Sequence, residues 1–409
     1  MPRSLPALVL FASLVAVVSA SGQPKKDLDQ PATVAALKKL GGVSEGFTVT
    51  DTGEIHVKSE KFDSTSDKLQ VFRLTGADDK LLAKLPRSEA GVGLDLTGTK
   101  VTDAGMKSVA NLKGLQLISL SGTNVGDEGL KELFACKELR ILDLSGTKVK
   151  SESLRQLDQF KELRALDLSR CKGVSDKAVR DLGLVKELRS LNLERTGVSD
   201  SGIRDLGPLK KLFTLNLTGT KVTDGGMGDL EALPELANLY LAQTDVGDNG
   251  LRSLGKLTKL VRLDLRNTRT GNGTLKELEG LPALRYLNLE DTRIDDDGAK
   301  HLGATRLSSL NVNKTRIGDD GVKAIAKATG LKALFLDKTR ITDAGLKELS
   351  GLDDLEELSL NDTAITDAGL KDLKCKSLAK VSLRGCKKVT KAGVAALKAL
   401  NPKMAIDGP

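Results

Sequence analysis

Tryptophan is absent, tyrosine and histidine each occur twice, and aromatic residues make up 2% of the 409 positions. A protein that stacks nucleic-acid bases needs exposed aromatics among basic residues. No such segment and no nucleic-acid motif is present, so the net charge of +8 argues for solubility and not for nucleic acid. Two distant histidines, His56 and His301, supply neither a metal site nor a catalytic triad. Long apolar runs are also missing after residue 20. The one such run, Leu5 to Val18, has 14 residues, too few for the roughly 20 that span a bilayer. It follows Arg3 and precedes the small-residue stretch Val18-Ser19-Ala20, which reads as a secretory signal peptide over 1–20. The first cysteine is Cys136, so the lipoprotein signature at the cleavage site is lacking. An exported protein is expected, in the periplasm, the cell envelope or outside the cell, with no membrane span.

Cysteine is scarce too: Cys136, Cys171, Cys375 and Cys386 are the whole complement. Four in so long a chain make no disulfide framework. All fall where the pattern below puts interior residues, where cysteine acts as a small hydrophobe.

What the sequence has in abundance is repetition. A unit such as Leu331 to Leu355 recurs about every 24 residues, with Thr99, Thr123, Thr147, Cys171, Thr196, Thr220, Thr244, Thr268, Thr292, Thr315, Thr339, Thr363 and Cys386 as anchors. A sustained period of this length marks a solenoid. Each copy opens with L-x-x-L-x-L, as in Leu142 and Leu144 or Leu358 and Leu360, the alternation of a strand with one buried face. Successive strands separated by a crossover pair in parallel. The second half begins with aspartate, at 103, 127, 200, 224, 248, 296, 319, 343 and 367, read as an N-cap ahead of two to three helical turns. The anchor threonine is expected to bond backbone groups at the bend that closes the strand. The expected plan is a signal peptide (1–20), a leader (21–30), an N-terminal cap (31–90) containing a hairpin around Asp51-Thr52-Gly53, a repeat array (91–400) and a C-terminal cap strand (401–409).

The copies Leu166-Asp167-Leu168-Ser169-Arg170-Cys171 and Val381-Ser382-Leu383-Arg384-Gly385-Cys386, with helix starts of the type Ile341-Thr342-Asp343-Ala344-Gly345-Leu346, carry a resemblance. The chain resembles leucine-rich repeat proteins of the cysteine-containing subclass, with threonine in most of the cysteine slots, as in exported bacterial members. The resemblance implies an α/β right-handed solenoid, a horseshoe or arc of about 13 repeats. One parallel sheet would line its concave face and helices its convex face. No F-box segment accompanies the repeats.

Chemistry is hard to find. Asp295-Asp296-Asp297 is too small a set for a hard cation. Thr223-Asp224-Gly225-Gly226 lacks the lysine of a phosphate loop and recurs as a helix start. No cofactor, metal or reaction is implied, and the chain reads as a non-enzyme. His301 stands where other copies have Glu132 or Glu348 and is expected to face solvent.

The outward strand positions are the remaining candidates. The central column, from Asp95 to Ser382, is mostly small and polar, as for a solvated surface. Tyr240 and Phe335 interrupt it, and Tyr286 lies one column over. With Arg262, Arg266, Asn288 and Asn311 they form a candidate partner-binding patch. The residue after the anchor is basic in nine copies, and Arg269, Arg293, Arg316 and Arg340 are successive rungs. That ladder either binds anions or is compensated by Glu290, Asp291, Asp337 and Asp362. Two functions follow: a scaffold for a protein partner on the concave face, or a binder of an anionic glycan or envelope ligand through the ladder. A structural envelope component is the third.

Overall fold

The alternating leucines form short strands, one per repeat, and each strand buries its leucine side. The computed structural model describes residues 30–49, 55–58 and 68–408; the predicted signal peptide, nearly all of the leader and the hairpin turn at Asp51-Thr52-Gly53 lie outside the described residues. The chain forms two compact units. The first holds Met1–Thr220 with Ala232–Leu236, the second Lys221–Glu231 with Ala237–Pro409.

The first unit begins with the helix Gln30–Lys39 and strands β1 (Val43–Val49), β2 (Ile55–Lys58) and β3 (Lys68–Arg73). β1 pairs antiparallel with both β2 and β3. From β3 the pairing turns parallel and runs on through β4 (Val92–Asp95), β5 (Leu115–Ser119), β6 (Ile141–Asp143), β7 (Ala165–Asp167), β8 (Ser190–Asn192) and β9 (Thr214–Asn216). The second unit has eight parallel strands: β10 (Asn238–Tyr240), β11 (Arg262–Asp264), β12 (Tyr286–Asn288), β13 (Ser309–Asn311), β14 (Ala333–Phe335), β15 (Glu357–Ser359), β16 (Lys380–Ser382) and β17 (Ala405–Asp407). The middle residue of most strands is a buried leucine, such as Leu142, Leu215, Leu263 or Leu358. Burying each contributes about 2 kcal/mol.

Eleven anchor threonines donate Oγ1 to the carbonyl three residues back, as Thr315 does to Val312 at 2.6 Å and Thr123 to Leu120 at 2.7 Å. The bond closes the turn that ends each strand. Cysteine in this slot works differently. Cys171 and Cys386 point Sγ at Leu144 and Leu360 of the preceding copy, each 3.0 Å from the carbonyl. All four cysteines are free and buried, and burial pushes the Cys136 and Cys375 thiols up to about 11. Thr315→Val is expected to lower unfolding free energy by about 1 kcal/mol through loss of this bond. Thr315→Cys should lose less, because the fold already houses cysteine at two anchors. A urea midpoint unchanged by the valine would show that the hydroxyl does not hold the turn.

Three expectations are corrected. Most helices of the array are shorter than two to three turns, from Asp224–Met227 at four residues to Asp127–Leu133 at seven; Ser151–Gln159 is a 3₁₀ helix, and only the array's last, Lys391–Leu400, reaches ten residues. The aspartate that opens each helix is not its cap. The cap is the residue before it: Thr102, Thr223, Thr342 and Thr366 hold extended backbone and accept from the helix's second amide. The aspartate is the first helical residue, and its carboxylate reaches forward into the next copy. Asp103 accepts from the Gly126 amide at 2.6 Å, and Asp224 from that of Gly247 at 2.7 Å. Asp319 takes both the amide and the hydroxyl of Thr342, at 2.7 and 2.6 Å. These clasps tie neighbouring copies on the helix side as the strands do on the other. Similar bonds from Thr390 hold the Asp367 carboxyl below its usual range.

The third correction concerns the central outward column, which is not a solvated surface in β4 to β9. Asp95, Ser119, Asp143, Asp167, Asn192 and Asn216 are all buried there. The acidic and amide members close the turn two residues on: Asp143 accepts from the Ser145 amide at 2.9 Å, and Asn216 from that of Thr218 at 2.9 Å, whereas Ser119 donates its hydroxyl to Asp143. An acidic or amide side chain at the strand end is thus a turn former.

Candidate functional site

All candidate residues lie in the second unit. Its register puts Asn238, Arg262, Tyr286, Ser309 and Ala333 in one outward column of β10 to β14, and Tyr240, Asp264, Asn288, Asn311 and Phe335 in the next. Neighbouring rungs are about 4.8 Å apart. Tyr240 and Phe335 therefore stand four rungs apart, and Tyr286 lies between them in the other column. The three rings make no ring contact with one another among the described residues.

Tyr286 is 40% exposed, while Tyr240 and Phe335 are half-buried. The Arg262 guanidinium lies over the Tyr286 ring, 4.2 Å from its centroid. That geometry is a cation–π contact worth about 0.5–1 kcal/mol at an exposed site. Burial raises the Tyr240 hydroxyl above its usual range, offset in part by the Arg262 charge. Arg266 folds back on its own turn, with Nη2 3.7 Å from Asp264 Oδ2. Asn288 and Asn311 spend their carbonyls on the amides of Glu290 and Asn313, at 3.0 and 2.9 Å. They hold turns, and Asn311 Nδ2 also donates to Glu290 Oε2 at 3.5 Å. Of the seven patch residues Tyr286 is exposed and the other six are half-buried.

On the turn side the structure shows a network that the sequence reading passed over. Asp337 accepts from Ser359 Oγ at 2.6 Å and from the Asn361 amide at 2.8 Å. Asn313 Oδ1 in turn accepts from the Asp337 amide at 2.6 Å. The signal was available: Glu290, Asn313, Asp337 and Asn361 occupy one repeat position in four successive copies. Next to it, the residue before each anchor is left-handed. Glycine fills that place at Gly98, Gly122, Gly146, Gly219 and Gly385 and arginine at Arg170 and Arg195, while six successive rungs carry Gln243, Asn267, Asp291, Lys314, Lys338 and Asp362 with φ between 52° and 57°. A side chain in this conformation costs about 1 kcal/mol, less for Asn and Asp.

The arginine ladder is exposed on all four rungs. Each backbone amide bonds the preceding copy: Arg269 to Val246, Arg293 to Thr270, Arg316 to Ile294 and Arg340 to Ile317, at 2.8–3.1 Å. The expected compensation is corrected here. Glu290 pairs with Lys314 at 2.6 Å, Asp362 with Lys338 at 3.9 Å, and Asp337 serves the turn network. Arg269 has a different partner, Asp245, at 2.8 Å. Arg293, Arg316 and Arg340 make no ion pair among the described residues. His301 is half-exposed, with Nδ1 2.6 Å from Glu279. No group of three or more metal-ligating side chains occurs among the described residues.

Strand, tight turn and short helix, stacked in register with leucines facing inward, define an α/β repeat solenoid. A family model described as Leucine Rich repeat matches residues 115–134, 281–303, 305–326 and 354–373. The chain is a leucine-rich repeat protein. An internalin (inlF) of Listeria monocytogenes is similar in structure over 87% of this chain and 94% of its own, with 21% identity and a TM-score of 0.59. A leucine-rich repeat protein of Leptospira interrogans is similar over 80% of this chain and 92% of its own, with 19% identity and a TM-score of 0.51. At these identities the likeness speaks for the fold. No curated protein matches the chain in sequence.

Proposed function

We propose that the protein is an exported, non-catalytic scaffold that binds a protein partner through the outward face of β10 to β14. The observation that carries the reading is Tyr286, an aromatic ring left 40% exposed on a paired strand and stacked with Arg262, where burial in the core has no use for it. Exposed aromatic and arginine pairs are the usual anchors of protein interfaces. The six successive left-handed side chains from Gln243 to Asp362 fall on the same rungs, although Arg170 and Arg195 take this conformation in the first unit too. Tyr240, Tyr286, Phe335 and Arg262 are the anchors, with Arg266, Asn288 and Asn311 framing them. Export rests on the apolar leader of residues 1–20. No helix among the described residues is long and apolar enough to cross a membrane. The plan in this reading is signal peptide, leader, cap to residue 90, array to 400 and cap strand.

The test is capture of a partner from envelope and culture fractions with residues 21–409. The native form is compared with Tyr286→Ala and with a Tyr240→Ala, Tyr286→Ala, Phe335→Ala variant, each checked for an unchanged melting midpoint. A protein retained by the native form at low and high salt, and lost at least tenfold by both variants, is the expected result. Equal retention by all three forms removes the patch from the interface.

A further inference from the structure

We propose that the partner of the second unit presents an acidic stripe on an α-helix, lying across the rungs with one carboxylate against each of Arg293, Arg316 and Arg340. The inference rests on the protein-scaffold reading above and adds the chemistry of the partner.

Pairing on this side of the unit separates the three arginines from their neighbours. Arg266, Arg269, Lys314, Lys338, Lys380 and Arg384 each have a carboxylate within 4 Å. Arg293, Arg316 and Arg340 are exposed on consecutive rungs with none. One acid felt by the row is Asp295, whose carboxyl is held below its usual range chiefly by the Asn272 hydrogen bond and last by the Arg316 charge. That carboxylate is already committed, accepting from Asn272 Nδ2 at 2.7 Å and from the Asp297 amide at 3.0 Å. Guanidinium is a planar fork matched to carboxylate, so three of them in a row form a prepared acceptor of anions.

Spacing selects the partner's conformation. The backbone clamps to Thr270, Ile294 and Ile317 fix the three Cα positions to the strand period, so the row spans two rungs, about 9.6 Å. On an α-helix, carboxylates at i, i+3 and i+7 rise about 4.5 and 10.5 Å, within the reach of arginine side chains at this period. In an extended chain the same-face positions i, i+2 and i+4 span about 13 Å and drift out of step after one contact.

The experiment uses a helical peptide with glutamates at i, i+3 and i+7 on one face, and a second helical peptide of identical composition with the glutamates spread around the axis. Both are titrated into the 21–409 protein and into an Arg293→Gln, Arg316→Gln, Arg340→Gln variant of unchanged melting midpoint. Expected are at least tenfold tighter binding of the striped peptide, loss of that preference in the variant, and weakening as salt rises. Equal binding of the two peptides overturns the proposal, since the row is then a diffuse cationic surface. Tighter binding of a sulfated or uronate oligosaccharide, with the striped peptide displaced, overturns it in favour of a glycan. Peptide binding by the Tyr286→Ala variant separates the two readings: the stripe fails with the arginine variant only, the aromatic interface with the ring variants only.

Discussion

Replacing Gly250 by alanine is expected to lower unfolding free energy by ~2–4 kcal/mol, whereas the same change at Gly228 should leave stability level or raise it by up to ~1 kcal/mol. Both glycines belong to the second unit and both have ordinary helical backbone nearby, so conformational freedom does not distinguish them. Space does. A Cβ on Gly250 would stand 2.6 Å from Asp224 Cα, 2.7 Å from Asp224 Oδ1 and 3.0 Å from Met227 Cγ. The first of these is backbone and cannot rotate away. The second is the oxygen that accepts from the Gly247 amide at 2.7 Å. Alanine must therefore push neighbouring copies apart or break a charge-assisted bond, and its helix propensity returns only about 1 kcal/mol. Around Gly228 no atom lies within 4 Å of the added carbon, and φ is −62°. Urea midpoints of the two variants decide the matter, and equal midpoints would refute the clasp. Combining Gly250→Ala with Asp224→Ala refines it: the two changes should add to less than their sum, because one removes what the other collides with.

This pair of positions shows where the sequence was legible and where it was not. The 24-residue period, the leucine alternation and the anchor threonine are carried within single copies, so their consequences could be read one copy at a time. The aspartate and the glycine two residues after it are also within one copy, but their meaning is not. Asp319 bonds Thr342, 23 residues on, and the glycine is small because the preceding copy's carboxylate occupies its Cβ position, as at Gly345. Read locally, the aspartate looks like a cap. The central column failed for the same reason: Asp143 is polar and outward by alternation, yet its turn and its neighbours on either rung bury it. In the candidate site the columns and rungs of Tyr240, Tyr286 and Phe335 followed from alternation alone. Their separation and the Arg262 stack required side-chain geometry. The ladder's positions were legible, but which carboxylate each arginine meets was not, because Glu290 has Arg293 three residues on and Lys314 in the next copy, and rotamers choose between them.

Asp167→Asn is expected to stabilise the first unit by ~3–4 kcal/mol at pH 8 but only by ~1–2 kcal/mol at pH 5. Asp143 and Asp167 are paired in register on β6 and β7, and only 1% and 5% exposed. Asp143 accepts from Ser119 Oγ at 2.7 Å and from the Ser145 amide; Asp167 accepts from the Ser169 amide at 2.7 Å and Asn192 Nδ2 at 2.8 Å. These bonds favour the charged forms but do not overcome burial. Burial, with the adjacent Asp143 charge, pushes the Asp167 carboxyl up to about 7, and burial raises Asp143 as well. A carboxyl whose pKa is raised in the fold holds its proton more tightly folded than unfolded. Its stabilising contribution is complete below the unfolded value near 4 and is lost as pH climbs through about 7. Asparagine never ionises, and the fold accepts it in this slot: on the next two rungs Asn192 and Asn216 take the amides of Glu194 and Thr218 at 3.0 and 2.9 Å. The native melting midpoint should therefore fall from pH 5 to pH 8 relative to that of the variant. Asp295 and Asp367, whose carboxyls are lowered in the fold, act below about pH 4 with the opposite sign, and both proteins retain them. Asp143→Asn should flatten the same interval, since removing either charge relieves the other. A constant difference between native and variant midpoints across pH 5–8 would mean that Asp167 remains ionised in the fold throughout, and the raised carboxyl would be refuted.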